Sequence, residues 1–300
     1  MKYILIFSIL FIGQLFSQWT QQTSNSSEVL LGISMYSQTS GYIVGTNGLI
    51  LATTNQGLLW SQKSSGTTKF LRDVYFTDSL KGTIVGESGL ILKTTNAGGN
   101  WIQQTSNTAE HLVHTHFYDS LNGISTGQAG VILKTINGGT TWVNQVSNTT
   151  QEISGCFMID TNLAYAVGFS GTILKTSNGG QQWIQQASGT TSNLRSVSFL
   201  DDNVGYVVGY SGVILKTTNG GSTWVPQVSG TTNDLFSVDF TSAEIGVAVG
   251  TSKILSTTNG GTSWTTQSVA FNRDLYDVDF WNSQLGWTVG QQGKIFYSNT

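Results

Sequence analysis

Few residue types in this 300-residue chain could carry chemistry, and the histidines gather in one place. All three lie in the segment "EHLVHTH", as His111, His114 and His116. On a β-strand His114 and His116 point to the same side, because successive side chains alternate, so both imidazoles could approach one metal ion. A zinc site needs three or four ligands, and the spacing fixes no third. We therefore expect a solvated polar lining here, with no metal and no other cofactor.

A second group of reactive side chains consists of the carboxylates Asp239, Asp277 and Asp279. Glycoside hydrolases use two carboxyl groups at a defined separation, so these aspartates raise the hypothesis of a hydrolase. The simpler interpretation is that they are turn and edge residues of short strands. We expect the simpler one and a protein that is not an enzyme, with glycoside hydrolysis as the alternative function. Cys156, the single cysteine, is expected to be a buried small apolar residue rather than a nucleophile.

The elements that carry these side chains follow from a ladder of tryptophans. Seven of the nine tryptophans recur at a nearly constant spacing along the chain: Trp19, Trp60, Trp101, Trp142, Trp183, Trp224 and Trp264. A fixed period of this size indicates a repeat array. Each repeat holds four short alternating segments separated by turn residues, as in "WIQQASG", "LRSVSF", "GYVVG" and "GVILKT". Four strands per repeat are typical of a propeller blade, so the sequence predicts an all-β fold, a β-propeller.

The two ends of the array complement each other. Trp19 opens it with no repeat before it, whereas "KIFYSNT" ends the last repeat after three strands. The segment "WTQQTS" is therefore predicted to supply the fourth, outer strand of the last blade. The result is a seven-bladed β-propeller with four antiparallel strands per blade, closed by the N-terminal strand, and this closure leaves no open edge in the ring.

The turn before six of the tryptophans repeats the pattern Thr-x-Asn-x-Gly-x-x-Trp, typified by "KTTNGGSTW". A phosphate-binding loop would need a helix after the glycines and a lysine at its end, whereas a tryptophan strand follows here. A structural role is sufficient for each part. Asn219 can accept backbone N–H bonds, Gly221 can supply a positive φ, and Trp224 can cover the hairpin. The neutral Asn also argues against a cation site at these turns.

This turn resembles the Asp-box, or bacterial neuraminidase repeat, with Asn at the Asp position. The whole unit, from Phe199 to Trp224, is similar to that of the photosystem II stability and assembly factor-like propellers, and the resemblance covers nearly all of the chain after its N-terminal segment. It implies a non-catalytic role in the assembly of a membrane protein complex, with an arginine-rich surface patch. The chain has three arginines, Arg72, Arg195 and Arg273. Asp-box repeats also occur in sialidases, but no "FRIP"-like segment is present here.

Propeller ligands usually meet the loops at one mouth of the central channel. The loop after each tryptophan strand and the "GxxG" hairpin reach the face opposite the Asn turns, and this face varies between repeats. Counting from each tryptophan by the offset that leads from Trp60 to Arg72 gives Leu31, Arg72, Val113, Ser154, Arg195 and Phe236, with Tyr276 equivalent in the last repeat. The hairpin position adds Glu87, Gln128, Phe169, Tyr210 and Gln291. We predict ligand binding through Arg72, Arg195, Arg273, Phe169, Tyr210, His111 and Glu87, against the simpler interpretation of solvated loop tips.

Composition and the N-terminus indicate the partners and the location. The segment "MKYILIFSILFIGQLFSQ" combines a lysine, an apolar run and small or polar residues, as a secretory signal peptide does. We expect residues 1–17 to be this peptide and residues 18–300 a single propeller that is secreted, periplasmic or at the cell surface. No other segment approaches the roughly 20 apolar residues of a membrane span, and a net charge of -3 offers no basic field for nucleic acid. We expect a monomeric scaffold that binds a protein or a glycan.

Overall fold

The computed structural model describes residues 19–267 and 271–299. The predicted signal peptide, residues 1–17, lies outside the described residues. The regular elements within this range are 28 β-strands and five single-turn 3-10 helices. The strands form seven antiparallel sheets of four strands each, and each sheet is one blade of a propeller. The predicted all-β fold and blade number are confirmed.

The blades follow one another along the chain. Blade 7 is completed by the first strand, β1 (Thr20–Thr23). Blade 1 contains β2 (Leu30–Met35), β3 (Gly41–Gly45), β4 (Ile50–Thr53) and β5 (Ser61–Lys63), and blade 2 contains β6 (Leu71–Phe76), β7 (Gly82–Gly86), β8 (Ile91–Thr94) and β9 (Ile102–Gln104). Blade 3 contains β10 (Leu112–Phe117), β11 (Gly123–Gly127), β12 (Ile132–Thr135) and β13 (Val143–Gln145), and blade 4 contains β14 (Ile153–Met158), β15 (Ala164–Gly168), β16 (Thr172–Thr176) and β17 (Ile184–Gln186).

The second half of the ring has the same order. Blade 5 contains β18 (Leu194–Phe199), β19 (Gly205–Gly209), β20 (Ile214–Thr217) and β21 (Val225–Gln227), and blade 6 contains β22 (Leu235–Phe240), β23 (Gly246–Gly250), β24 (Lys253–Thr257) and β25 (Thr265–Thr266). Blade 7 adds β26 (Leu275–Phe280), β27 (Leu285–Gly290) and β28 (Lys294–Asn299) to β1. The 3-10 helices join the second and third strands of five blades, at Thr46–Gly48, Glu87–Gly89, Gln128–Gly130, Tyr210–Gly212 and Gln291–Gly293.

The N-terminal strand closes the ring as predicted. β1 pairs antiparallel with β28, with Thr20 opposite Tyr297 and Thr23 opposite Lys294. Gln22 of β1 then reaches from blade 7 to blade 1, where its Nε2 donates to the Gln56 carbonyl at 2.7 Å and its Oε1 accepts from Trp60 Nε1 at 3.2 Å. One short strand thus completes its own blade and links it to the next.

The strand order gives the disc two distinct faces. The first strand of each blade is innermost, and the tryptophan strand is outermost. The 3-10 hairpins and the loops after the outer strands lie together on one face, which we call the mouth face. The turns between first and second strands and the Thr-x-Asn-x-Gly turns lie on the opposite face, which we call the Asn-turn face. The Thr-x-Asn-x-Gly turn therefore stands on the face away from the predicted ligand residues.

Apolar residues between neighbouring blades form the core. Between blades 5 and 6, the rings of Tyr206 and Phe240 stack with centroids 3.6 Å apart, and Trp264 meets Phe240 edge-on at 5.8 Å. Similar stacks join Tyr42 to Phe76 and Tyr165 to Phe199. Full burial of one such side chain contributes roughly 1.5–3 kcal/mol before the loss of side-chain entropy. The regular spacing of the tryptophans therefore places one such set of aromatic side chains at each interface between blades.

The Thr-x-Asn-x-Gly turn is a self-contained hydrogen-bonding unit. In blade 5 the Thr223 N–H donates to Asn219 Oδ1 at 2.9 Å, and the Gly221 N–H donates to Thr217 Oγ1 at 2.9 Å. Gly221 has φ +78°, which an L side chain rarely adopts. Trp224 is buried against the same hairpin. The structural interpretation of this turn is confirmed, because its polar groups are used within the turn itself.

A set of links between blades has no local signal in the sequence. Lys175 Nζ and Tyr165 Oη of blade 4 both donate to the Gly220 carbonyl in the turn of blade 5, each at 2.7 Å. Lys216 and Tyr206 repeat the arrangement one blade later, on the Gly260 carbonyl. The lysine of the "ILKT" strand and the tyrosine of the second strand thus tie neighbouring blades together at the Asn-turn face.

Candidate functional site at the mouth of the channel

A ring of side chains surrounds the mouth of the central channel, and it is the ring obtained by counting a fixed offset from each tryptophan. The seven side chains border a cavity of about 190 Å³: Leu31, Arg72, Val113, Ser154, Arg195, Phe236 and Tyr276. Each is the second residue of an innermost strand, where the pairing with the next strand shifts register, as between Leu71 and Asp73 in blade 2. Such a bulge leaves one residue outside the ladder and re-aims its side chain. The interpretation of these residues as loop tips is therefore wrong, since they are strand residues turned toward the mouth.

Four aromatic rings of blades 4 to 7 form a continuous row along one side of this mouth, which we call the aromatic arc: Phe169, Tyr210, Phe236 and Tyr276. Successive ring centroids are 6.4, 6.2 and 5.3 Å apart. All four side chains are half-buried, so the arc is fixed by its own contacts yet presents apolar surface. Phe169 and Tyr210 were among the predicted ligand residues. Phe236 and Tyr276 were missed, although they stood at the counted ring position, because only the structure shows the four rings in contact.

The two ring arginines differ in their partners. Arg195 forms an ion pair with Glu152, with Nη1 3.4 Å from Oε1, and its guanidinium lies 6.0 Å from the Tyr210 ring. Arg72, three blades away around the ring, lies 5.9 Å from the Phe70 ring and has no carboxylate within 4.0 Å among residues 19–267 and 271–299. Its Nε is buried and has no hydrogen-bond acceptor in the same set of residues. Arg72 is thus a cation at the mouth whose charge is not balanced by a neighbouring side chain.

Three other predicted ligand residues lie on the mouth face but do not border the cavity. His111 Nδ1 accepts from the Ser88 N–H at 2.9 Å, and Glu87 Oε2 accepts from the Phe70 N–H at 3.0 Å. Arg273 Nε donates to Gln292 Oε1 at 3.0 Å. These side chains hold the hairpins and loops around the mouth, and their part in ligand binding stays a prediction.

Below the mouth, polar side chains of the innermost strands link each blade to the next. Asp73 accepts from the Thr115 N–H at 2.8 Å, His116 Nδ1 from the Met158 N–H at 3.1 Å, and Asp239 from the Phe280 N–H at 2.9 Å. At the junction of blades 7 and 1, Asp277 accepts from the Ile33 N–H at 2.9 Å and Asp279 from the Met35 N–H. Asp239, Asp277 and Asp279 are therefore not turn residues, and they lie within β22 and β26, the innermost edge strands of their blades. They satisfy backbone donors that face the channel from the neighbouring blade.

The channel at this depth is narrow. Its cavity of about 200 Å³ is bordered by His114, His116, Tyr75 and Phe157, together with the aspartates. The rings of Tyr75 and Phe157 share this lining with the polar side chains. Asp73 and Thr115 are buried.

This burial changes the ionisation of the channel carboxyl groups. It raises the pKa of Asp239 to about 6 and those of Asp73 and Asp277 to about 7, and it raises the pKa of Asp279 well above its usual value. The same burial lowers the pKa of His114 and lowers that of His116 to about 3. In each case the uncharged form gains, because a charge in this setting loses hydration that the few hydrogen bonds do not replace.

One group of side chains in the channel, an aspartate, a histidine and a cysteine, resembles the catalytic residues of a cysteine enzyme. His114 lies between Asp73 and Cys156, with Nε2 3.8 Å from Asp73 Oδ2 and Nδ1 3.4 Å from Cys156 Sγ. A nucleophilic cysteine requires a thiolate and access for the substrate. Cys156 is 0% exposed, and burial raises the pKa of its thiol far above the usual value. The prediction of a buried, unreactive cysteine is confirmed for its burial, and the geometry offers no open nucleophile.

No group of three or more His, Cys, Asp or Glu side chains suited to a metal ion is present in the part of the chain that the structure describes. Nor does a helix long and apolar enough to cross a membrane occur among those same residues.

Comparisons with known proteins identify relatives of the chain. The family model described as photosynthesis system II assembly factor YCF48 matches residues 13–155, 60–194, 143–218 and 181–266. A solved structure of YCF48 bound to D1 peptide aligns with a TM-score of 0.79 and 18% identity, covering 95% of this chain and 95% of that one. YCF48 from Cyanidioschyzon merolae aligns with a TM-score of 0.78 and 19% identity, covering 94% and 98%.

The same architecture occurs in proteins with other activities. Virginiamycin B lyase from Staphylococcus aureus aligns with a TM-score of 0.84 and 12% identity, covering 95% of this chain and 100% of that one. At such identity the likeness is one of fold alone. No curated protein sequence matches the chain.

Proposed function

The chain belongs to the family of the photosynthesis system II assembly factor YCF48, and from this premise we propose that it is a non-catalytic scaffold that binds a segment of a partner protein at the mouth of its channel. The proposal includes export from the cytoplasm, which the leader-like sequence of residues 1–17 supports. It also includes the monomeric state predicted from the sequence.

The observation that carries this proposal is the aromatic arc across the mouth from Arg72. Tryptophan, tyrosine and arginine are enriched among the few residues that contribute most of the binding free energy at protein interfaces. The arc offers a row of four half-buried rings, and Arg72 offers a guanidinium without a carboxylate partner among the described residues. A peptide segment with apolar side chains and one carboxylate matches both parts of this surface.

The size of the cavity indicates how such a segment would sit. About 190 Å³ accommodates one large side chain and not a folded domain. The partner would lie across the mouth face, with one residue inserted between Arg72 and the arc. A related propeller solved with a bound peptide supports a peptide segment as the partner. Because the surrounding strands are fixed by links between blades, the site would lose little conformational entropy on binding.

The absence of an enzyme activity is part of the proposal. The channel aspartates use carboxylate oxygens to accept backbone N–H bonds that hold neighbouring blades together. A glycoside hydrolase instead needs two carboxyl groups that face the scissile bond across a substrate. Because the channel aspartates already hold neighbouring blades together, they support a binding role for the protein over a catalytic one.

Selection from a random peptide library displayed on phage tests the binding role. The full chain should enrich peptides that carry aromatic or aliphatic residues close to an Asp or Glu. The variant Phe236→Ala should not enrich them, whereas Val225→Thr, on the exposed outer strand β21, should enrich the same peptides. Equal enrichment by the full chain and by Phe236→Ala would contradict the assignment of the mouth.

A panel of chromogenic glycosides, assayed on the same preparation, tests the alternative function. The proposal predicts no turnover above buffer. Turnover that Asp277→Asn abolishes, while the variant stays folded, would contradict a non-catalytic scaffold.

A further inference from the structure

The exposed large apolar side chains fall into two groups, and neither includes a residue at the mouth. Among the residues that the structure describes, six such side chains lie on or just after the outer strands of blades 2 to 5. Seven others lie at turns of the Asn-turn face, and all belong to four consecutive blades, 7, 1, 2 and 3: Trp281, Leu58, Leu59, Leu80, Tyr118, Leu121 and Ile136. We call these seven the apolar turn set. Their side chains are between 43 and 85% exposed.

The repeat supplies an internal reference for this set. At the positions of Leu58 and Leu59, blade 5 has Ser222 and Thr223. At the position shared by Leu80 and Leu121, blades 4 and 5 have Asn162 and Asn203. Both leucines keep the backbone role of those asparagines, since the Leu80 and Leu121 carbonyls accept from Ala97 and Gly138 as the Asn203 carbonyl accepts from Gly220. The fold therefore works with polar residues at these turns, and stability of the turn does not explain the leucines.

The other part of the same face is polar and acidic. The turns between first and second strands carry Asp160 in blade 4, Asp201 and Asp202 in blade 5, and Glu244 in blade 6. The Asn-turn face is thus divided by its apolar tips, since blades 7 to 3 carry the apolar turn set and blades 4 to 6 have polar tips. Acidic residues occur on both parts, because Asp78 and Asp119 of blades 2 and 3 stand at the position of Asp160 and Asp201. A contact that uses this face would involve one side of the disc and not its centre.

The chain enters the propeller from the same face. Outer strands run from the Asn turn to the mouth, and β1 follows this direction, because Thr20 pairs with Tyr297 and Thr23 with Lys294. Trp19 therefore stands at the Asn-turn face of blade 7, where it packs against blade 6 at one end of the run of four apolar blades. Eighteen residues precede it, and from Tyr3 to Ile12 only Ser8 is polar. A leader of this composition enters the bilayer during export before it is removed, so the chain that follows it starts at the lipid surface with this face.

We propose that the apolar turn set docks the propeller on the surface of a lipid bilayer, with blades 7 to 3 against the membrane and the mouth directed away from it. Tryptophan and tyrosine favour the boundary between lipid headgroups and acyl chains, and leucine and isoleucine enter the acyl region. The polar atoms beside them are already satisfied: Asp78 accepts from the Leu80 and Lys81 N–H groups at 2.8 Å, and Asp119 accepts from Leu121 and Asn122 at 2.7 Å. The acidic turns of blades 4 to 6 tilt away from the lipid. This docking does not depend on the function proposed for the mouth.

Vesicle binding tests the docking surface, and every chain starts at Gln18 so that the apolar leader does not bind the vesicles. The test variant restores the residues of the sister repeats: Leu58→Ser, Leu59→Thr, Leu80→Asn, Leu121→Asn and Ile136→Thr. The control removes a comparable exposed apolar area from the outer strands: Ile102→Thr, Val143→Thr, Ile184→Thr and Val225→Thr, since Thr20 and Thr265 occupy that position in other blades. With phosphatidylcholine vesicles the test variant should partition at least about tenfold more weakly than the parent, and the control within about twofold of it.

A second measurement reports the orientation of the propeller on the vesicle. An environment-sensitive dye is attached to Leu59→Cys or, as a control, to Ile184→Cys; Cys156 does not compete, since it is 0% exposed. Nitroxide lipids should quench the dye at position 59 and leave the dye at position 184 unquenched. Equal quenching at the two positions, or equal partitioning of parent and test variant, would overturn the proposal.

Two further outcomes identify another occupant of the face. If the test variant changes the elution volume on size exclusion without changing vesicle binding, the face joins two copies of the chain and the membrane proposal fails. Because blades 4 to 6 are acidic, adding phosphatidylglycerol should not strengthen binding. A strong gain on that addition would contradict the tilt and the assigned surface.

Discussion

The Asp277 carboxylate of blade 7 accepts a 2.9 Å hydrogen bond from the Ile33 N–H of blade 1, so a side chain near the end of the sequence holds the backbone of the first blade. Asp279 does the same for Met35. Together with Gln22 and β1, they make the junction of blades 7 and 1 depend on parts of the chain that are remote in sequence. The ring is closed by polar links at the channel and by a strand at the rim.

The buried carboxyl groups make stability depend on pH. In the folded state the pKa values of Asp73 and Asp277 are raised to about 7, whereas an unfolded aspartate titrates near its ordinary value of about 3.9. The folded state therefore binds protons first as pH falls, and the free energy of unfolding should rise between pH 8 and pH 6.5. Below about pH 6.5 the lowered pKa values of His114 and His116 oppose this gain, because the unfolded imidazoles take up protons first.

Asp277→Asn removes the titrating group, and its amide oxygen can still accept from Ile33, although its NH2 then faces Ser237 and the Val278 N–H, which both donate to Asp277 Oδ1. The variant should lose part of the rise in melting temperature between pH 8 and pH 6.5. The control is Asp202→Asn on an exposed turn, which should behave as the parent does. Calorimetry at the two pH values measures both. A parent whose melting temperature falls from pH 8 to pH 6.5 would contradict the assigned burial.

Gln22→Ala tests the link at the closing strand. The change removes the bonds from Gln22 to the Gln56 carbonyl and Trp60 Nε1, and it should cost about 1–2 kcal/mol, because two hydrogen bonds between blades 7 and 1 are lost. Gln104→Ala is the matched control, since Gln104 occupies the same strand position in blade 2 but bonds only within its own strand, to the Ile102 carbonyl, among the described residues. Equal melting temperatures for the two variants would refute the role of Gln22.

Removal of residues 19–24 is the stronger test of closure. It exposes the edge of β28, so the shortened chain should melt at a lower temperature and associate through that edge. Thermal denaturation and light scattering measure the two effects, and a shortened chain unchanged in both would show that β1 does not close the ring.

The fold was predictable from the sequence features that recur in every repeat. Seven evenly spaced tryptophans indicated the blade number, and the missing strand after "KIFYSNT" pointed to Trp19 as the start of the closing strand. Links between blades had no such signal. Lys175 and Tyr165 meet the Gly220 carbonyl 45 and 55 residues further along, and only the curvature of the ring brings them together.

The site was predictable by position but not by contact. Counting from the tryptophans found the ring that contains Arg72 and Arg195, because a repeat preserves geometry. It could not reveal that a bulge turns these residues to the mouth. Nor could it separate Tyr210, whose ring joins the aromatic arc, from His111, whose imidazole accepts from the Ser88 N–H. Side chains at neighbouring loop positions make different contacts, because each contact depends on the hairpin of the adjacent blade.

The paired donors on the Gly220 carbonyl predict a measurable coupling. Tyr165→Phe and Lys175→Met should each cost about 1 kcal/mol, and the double variant should differ from their sum by at least about 0.5 kcal/mol, because both side chains share one acceptor. Chemical denaturation of the four proteins measures the cycle. Strict additivity would show that the two bonds act independently.

Cys156 should be inert until the blade opens. Its thiol is 0% exposed, so a thiol reagent at pH 8 should label the native chain only as fast as local or global unfolding permits. The labelling rate should rise with denaturant in parallel with unfolding. Rapid labelling of the native protein would mean that the His114 and Cys156 contact opens to solvent, and the catalytic interpretation would need to be restored.

The affinity of one selected peptide for matched variants tests the binding site most directly. Titration calorimetry should show a loss of at least about tenfold for Phe236→Ala and for Arg72→Gln, because both border the mouth cavity, and no loss for Val225→Thr. The account predicts this order of affinities at equal melting temperatures. A peptide that binds all four proteins equally would contradict the claim that the chain recognises its partner at the mouth of the channel.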